Sequence, residues 1–118
     1  MKTGIILLAA GSSSRLGRAK QLIEFQGKTL IQKAIDEANK SQSDCLVVVL
    51  GANAYLIQTG LDITSTPFIV NSDWQQGMSS SMQAGLRFLM EKEVIDQVVL
   101  MLCDQPFVDA SLLDQLIT

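Results

Sequence analysis

The chain reads as an α/β domain in three layers, a parallel β-sheet with helices on both faces. Four short apolar runs, at residues 5–10, 45–50, 67–71 and 98–103, lack the polar alternation of a sheet with one wet face. Segments carrying helical periodicity or helix-start signals lie between them. Strand and helix therefore alternate about every 30 residues, as right-handed crossovers require. A length of 118 residues with 47% apolar side chains suffices for one core, so residues 1–118 are expected to form a single domain.

The first apolar run, Ile5 to Ala10, passes directly into Gly11-Ser12-Ser13-Ser14-Arg15-Leu16-Gly17-Arg18-Ala19-Lys20. Gly11 and Gly17 allow a close backbone approach, and Ser12 to Ser14 leave amide and hydroxyl donors free to face an anion. Arg15 offers a planar fork of donors and Lys20 a point charge five residues later. Such a loop suits a phosphate cradle, although an ordinary Gly/Ser turn with solvated cations uses the same residue types. It is neither of two common cradles. A Walker A loop has four residues between its glycines, whereas five separate Gly11 from Gly17. The dinucleotide fingerprint needs glycine at position 13, which is serine.

Past this loop, residues 22–30 suggest a short extended excursion turning at Gln26-Gly27. Thr29 can cap a helix to Lys40, with Leu30, Ile31, Ala34, Ile35 and Ala38 on one face. Cys45 to Leu50 is the second strand, and a short helix over 54–59 ends at Gly60. Pro67 to Asn71 is the third strand, with proline at its first residue, where no ladder bond is lost. A polar loop then feeds Gly77-Met78-Ser79-Ser80-Ser81, which opens a helix to Lys92 with Met82, Leu86, Leu89 and Met90 inward. Capping alone explains one serine there; surplus hydroxyls at the positive helix end can hold part of a nucleotide.

Val98 to Cys103 is the fourth strand, and Asp104-Gln105-Pro106 follows it. In the strand order 3-2-1-4, the first and fourth strands are neighbours about 4.8 Å apart where the winding reverses. Asp104 would then face the Gly11–Lys20 loop, although capping the turn made with Pro106 is the alternative role. A last helix starts near Asp109, with Leu112, Leu113, Leu116 and Ile117 as its apolar stripe.

Composition narrows the function. The net charge is −3, and the cations cluster in the first forty residues, so a nucleic-acid surface is not expected. No apolar run approaches the roughly 20 residues of a membrane span, and Met1-Lys2-Thr3 leads into a strand without a leader pattern, so a cytoplasmic protein is expected. Cys45 and Cys103 have no framework spacing and read as small buried thiols. Histidine is absent, which removes the usual general base near neutral pH and the commonest zinc ligand.

The string Leu-Ala-Ala-Gly-x-Ser-x-Arg-x-Gly-x-x-Lys at Leu8 to Lys20 closely resembles the signature of nucleotidyltransferases that activate small phosphorylated acceptors. More narrowly, it is similar to the molybdenum cofactor cytidylyltransferase branch of the MobA-like family. Gly77 to Leu86 resembles that family's second nucleotide-contacting segment, and Asp104-Gln105-Pro106 has the form this segment takes in the branch. The resemblance implies a Rossmann-like fold of the nucleotide-diphospho-sugar transferase type. It also implies transfer of CMP from CTP to the terminal phosphate of a molybdenum-pterin cofactor, with release of pyrophosphate. Arg15 and Lys20 would be catalytic, and Asp104 would hold Mg²⁺. Leu8, Ala9, Ala10, Gly11, Ser12, Ser14, Arg15, Lys20, Gly77, Ser79, Ser80 and Ser81 would bind the nucleotide. Members using GTP have glycine at the place of Ala10, so its methyl favours cytosine, by only ~1 to 3 kcal/mol. Family members run on for further elements that form the acceptor pocket and supply a second acidic metal ligand. The chain is thus expected to be the N-terminal part of a longer enzyme, with a molybdoenzyme or chaperone as implied partner.

The charges balance. A phosphate acceptor with its second pKa near ~6 needs no general base, but it must approach a triphosphate of about four negative charges. Each uncompensated pair ~4 Å apart costs ~4 kcal/mol at an effective dielectric of 20, about three decades of rate. Arg15, Lys20 and one Mg²⁺ supply four positive charges. Rival readings are a GTP-using, sugar-phosphate or methylerythritol-phosphate transferase of the same fold, and a non-catalytic nucleotide-binding module.

Overall fold

A computed structural model describes residues 2–10, 24–25, 27–51, 66–92, 94–103 and 108–117. Strands β1 (Thr3–Ala9), β4 (Cys45–Leu50), β5 (Phe68–Val70) and β6 (Gln97–Leu102) form one sheet in the order β5-β4-β1-β6, every pair parallel. Counting only these four, that is the expected order 3-2-1-4. Between them stand α1 (Leu30–Lys40), a 3₁₀ turn (Trp74–Gln76) and α2 (Met78–Lys92), with α3 (Ala110–Leu116) after β6. The expected extended excursion is a two-residue antiparallel ladder, β2 (Glu24–Phe25) with β3 (Lys28–Thr29), turning through Gly27 at φ +86°. The helix expected over 54–59 lies outside the described residues.

Two apolar layers sandwich the sheet. On one side Ile5, Leu7 and Ala9 of β1 and Leu46, Val48 and Leu50 of β4 pack with Ile31, Ala34, Ile35 and Ala38 of α1 and Leu113 of α3. On the other, Ile6, Leu8, Ala10, Val47 and Val49 pack with Leu89 of α2. β1 and β4 therefore feed both layers, which is why β1 is buried along its whole length and cannot alternate with polar residues, whereas β5 leaves Phe68 and Val70 exposed. All five residues expected on the inner face of α1 are buried, and Thr29 caps it by accepting from the Gln32 amide at 3.2 Å. Lys28 on β3 reaches Asp36 of α1 at 2.6 Å, tying the small ladder to that helix.

Register is pinned at the amino edge of the sheet. Thr3 donates its amide to the Asp44 carboxylate at 2.7 Å and accepts the Asp44 amide at 2.8 Å. Lys2 makes the same reciprocal pair with Asp96, at 2.7 and 2.9 Å. Gln97 closes the edge by donating to the Thr3 hydroxyl at 2.6 Å. Each neighbour of β1 is thereby aligned before its first ladder bond.

Two helices differ from expectation. Of the residues expected inward on α2, Leu89 is buried and Met82 half-buried, but Leu86 and Met90 are 40% and 63% exposed. The inner face runs instead through Ser81, Gly85 and Leu89, because α2 lies so close to the sheet that a side chain at 85 has no space. A Cβ there would stand 2.7 Å from Ile6 Cγ2 and 3.1 Å from Val49 Cγ2. In α3 only Leu113 is buried, while Leu112 and Leu116 are exposed and Ile117 is half-buried. That helix meets α1 along one narrow line: Ala110 donates its amide to Glu37 at 3.0 Å, and the Gln42 amide donates to Asp114 at 2.7 Å.

Cys45 and Cys103 carry thiols at opposite edges of the parallel sheet, on strands flanking β1. Five or so residues of strand at ~3.3 Å each separate those edges, far beyond disulfide reach. No helix among the described residues is long and apolar enough to cross a membrane.

Candidate functional site

Parallel strands deliver all their carboxyl ends to one edge, where open α/β sheets bind ligands. Leu8 pairs with Leu102, and the Cys103 amide approaches the Leu8 carbonyl at 3.4 Å. The chain thus leaves β1 at Ala10 and β6 at Cys103 side by side. Of the expected nucleotide-binding residues, Leu8, Ala9 and Ala10 are described there, all three buried. Gly51 stands beside them at the end of β4. A Cβ at Gly51 would meet Trp74 Cβ at 2.6 Å, the Ala10 carbonyl oxygen at 2.8 Å and Ala10 Cβ at 2.9 Å. The ends of β1 and β4 and the 3₁₀ turn therefore close on one another without a gap.

The start of α2 completes this edge. Gly77 has φ +102° and ψ 179°, a conformation essentially reserved to glycine, and it swings the chain from the 3₁₀ turn into the helix. Leu89 of α2 lies against Gly4, and Gly85 against Ile6. One turn nearer the amino end, a rise of about 5.4 Å matches two strand residues of about 6.6 Å, which brings Ser81 level with the carboxyl end of β1.

The serines divide by role. Ser80 Oγ accepts from Asn71 Nδ2 at 2.9 Å and faces the carbonyls of Asp73 and Gly77, each at 3.0 Å, so its single hydrogen is spent on the loop. Ser81, 3% exposed, accepts from the same Nδ2 at 3.0 Å. Ser79, exposed, has no hydrogen-bonding partner for its hydroxyl among the described residues. Asn71 was legible only as the end of the third strand and the start of a polar loop; it lies just past β5 and is the hub here. Its amide donates to the Leu50 carbonyl at 2.6 Å, and its Oδ1 accepts from the Asp73 amide at 3.0 Å. The signal lay in its position: a short polar residue directly past a strand, at the carboxyl edge.

The expected cationic loop residues Gly11, Ser12, Ser14, Arg15 and Lys20, and the expected metal ligand Asp104, lie outside the described residues. Among the described residues no group of three or more His, Cys, Asp or Glu side chains is placed to hold a metal ion. A Mg²⁺ bound through one carboxylate and substrate phosphates needs no such cage.

The three-layer parallel sheet in this order, with Gly51 at one strand end and a serine-rich helix start beside it, has the α/β fold of the nucleotide-diphospho-sugar transferase type, a likeness of fold alone at 19–22% identity. Within that class, the chain belongs to the family described as MobA-like NTP transferase domain, which matches residues 5–118. It is 36% identical over 102 residues to a nicotine blue oxidoreductase of Paenarthrobacter nicotinovorans, covering 86% of this chain and 48% of that one. Among solved structures it is similar to Rv0371c of Mycobacterium tuberculosis, with TM-score 0.81 and 30% identity over 98% of this chain and 59% of that one. A second crystal of Rv0371c is a complex with manganese, with TM-score 0.75, 27% identity, and coverage of 99% and 58%. CMP:2-keto-3-deoxy-manno-octonic acid synthetase, solved with CTP, shares the fold at TM-score 0.76 and 19% identity, over 99% of this chain and 46% of that one. The chain thus spans about half the length of each of these relatives.

Proposed function

We propose that the chain is the nucleotide-binding part of a nucleotidyltransferase that moves CMP from CTP to the terminal phosphate of a molybdenum-pterin cofactor. In that reaction an acceptor phosphate oxygen forms a bond to the α-phosphorus, the α–β phosphoanhydride bond breaks, and pyrophosphate leaves. The supporting observation is that β1 and β6 are parallel neighbours ending together, so the chain entering Gly11–Lys20 and the chain entering Asp104 leave the sheet at one place. Arg15 and Lys20 would then hold the polyphosphate, and Asp104 the divalent cation. That cation, Mg²⁺ in this reading, would neutralise charge on the phosphates; the manganese complex of Rv0371c supports a divalent ion. Leu8, Ala9, Ala10, Gly77, Ser79 and Ser81 would line the nucleotide. We assign the protein to the cytoplasm on its cysteine usage.

Calorimetric titration of the chain with CTP, GTP, UTP and ATP in the presence of Mg²⁺ tests the assignment. CTP is expected to bind most tightly, and preferred GTP binding would remove the cytidylyl reading. The name of the Paenarthrobacter relative favours a second reading, an oxidoreductase. Oxidation of NADH or NADPH by the chain with nicotine blue as the electron acceptor, and no affinity for nucleoside triphosphates, would establish that reading instead.

A further inference from the structure

Three polar side chains at the carboxyl edge, Asn71, Ser80 and Ser81, form a cluster whose hydrogens can be counted. The Asp73 amide can only donate, so the Asn71 atom facing it at 3.0 Å is the carbonyl oxygen. Both Nδ2 hydrogens are thereby turned to Ser80 at 2.9 Å and Ser81 at 3.0 Å. Each serine oxygen accepts from Asn71 and must send its own hydrogen elsewhere. Ser80 sends its hydrogen to the Asp73 or Gly77 carbonyl. Ser81 has no acceptor for its hydrogen among the described residues, although it is 97% removed from solvent. A buried donor left unpaired is costly unless something supplies the acceptor.

We propose that Asn71 is a positioning residue that holds the Ser81 hydroxyl as a donor, aimed at an acceptor atom of the bound nucleotide. This rests on the reading of the sheet edge as a nucleotide site. Asn71 itself is 8% exposed and fully satisfied, so it acts through Ser81 and does not touch the ligand. An acceptor-only side chain at 71 would keep the bond from Asp73 but draw both serine hydrogens inward. Ser81 could then no longer donate to the ligand.

Titration of the 118-residue chain with Mg²⁺ and CTP, or whichever of the four nucleoside triphosphates binds most tightly, tests this in a double-mutant cycle. Asn71→Asp is expected to weaken binding by about tenfold or more, the worth of a lost and reversed hydrogen bond. Asn71→Ala, which removes the donors without adding charge, is expected to cost about threefold and serves if the aspartate variant does not fold. With Ser81→Ala present, the alanine change is expected to cost nothing further, and the aspartate change only the effect of its charge, about threefold or less. Thermal unfolding of each variant separates folding from binding. Equal losses with and without the Ser81 hydroxyl, or no loss on changing Asn71, would overturn the proposal while leaving the nucleotide site standing. If the unaltered chain binds no nucleoside triphosphate, both fall together.

Discussion

At the scale of single residues, space and hydrogen bonds decide what a position tolerates. Gly85 shows the first: a methyl there would stand 2.7 Å from Ile6 Cγ2 and force α2 off the sheet. Gly85→Ala is expected to cost about 1 to 3 kcal/mol in urea unfolding, as overpacking generally does. The cationic loop and its carboxylate make a binding prediction. Lys20→Ala and Asp104→Ala should each weaken triphosphate affinity by at least about tenfold, one charge contact apiece, in the same titration that compares nucleotides. The sequence marked Gly77 and the serines as a helix start, and the helix does begin there. It did not reveal that Ser80 is spent internally, since the Asp73 carbonyl that can take its hydrogen and the Asn71 amide that donates to it stand seven and nine residues away.

Between elements, short ties at the ends of helices and strands set the alignment. Asp44 and Asp96 hold opposite flanks of β1, yet they are not equivalent. Thr3 is buried, whereas Lys2 is exposed and its amide can turn to water. Asp44→Ala is therefore expected to cost about 1 to 3 kcal/mol and Asp96→Ala less, measured by chemical unfolding. The joint between α1 and α3 is pH-sensitive. The Ala110 amide favours the Glu37 carboxylate over its acid and, opposed by burial and helped by Lys40, holds its pKa below the ordinary 4.5. A lowered folded value means the contribution is complete above about 4.5 and is lost as pH falls through the lower folded pKa. The stability advantage of the unaltered chain over Glu37→Gln should accordingly shrink as pH falls below the ordinary 4.5. Helix α1 was readable because its inner face is a regular apolar stripe. The stripes expected on α2 and α3 were misleading, because periodicity counts apolar residues and says nothing of how much of a helix its neighbours cover.

Over the whole molecule, the apolar surface is uneven. Helix α2 packs on β1 and β4 and leaves the same face of β6 partly bare, so Leu100 is 45% exposed. Leu86 and Met90 on α2, and Leu112 and Leu116 on α3, add further exposed apolar side chains. Such surface favours association. The 118-residue chain is expected to self-associate with rising concentration in light scattering, and Leu100→Lys to reduce it without lowering the unfolding temperature.

Strand identity and the inner face of α1 were determined by the sequence alone, because burial on both faces, fullest in β1 and β4, writes an unbroken apolar run that local composition shows directly. The side-by-side exit of β1 and β6, the close seat of α2 over Gly85 and the Asn71–Ser81 contact were decided only in three dimensions. Each depends on segments far apart in the chain arriving at one edge of the sheet, and no local pattern records which distant neighbour fills a space or takes a hydrogen.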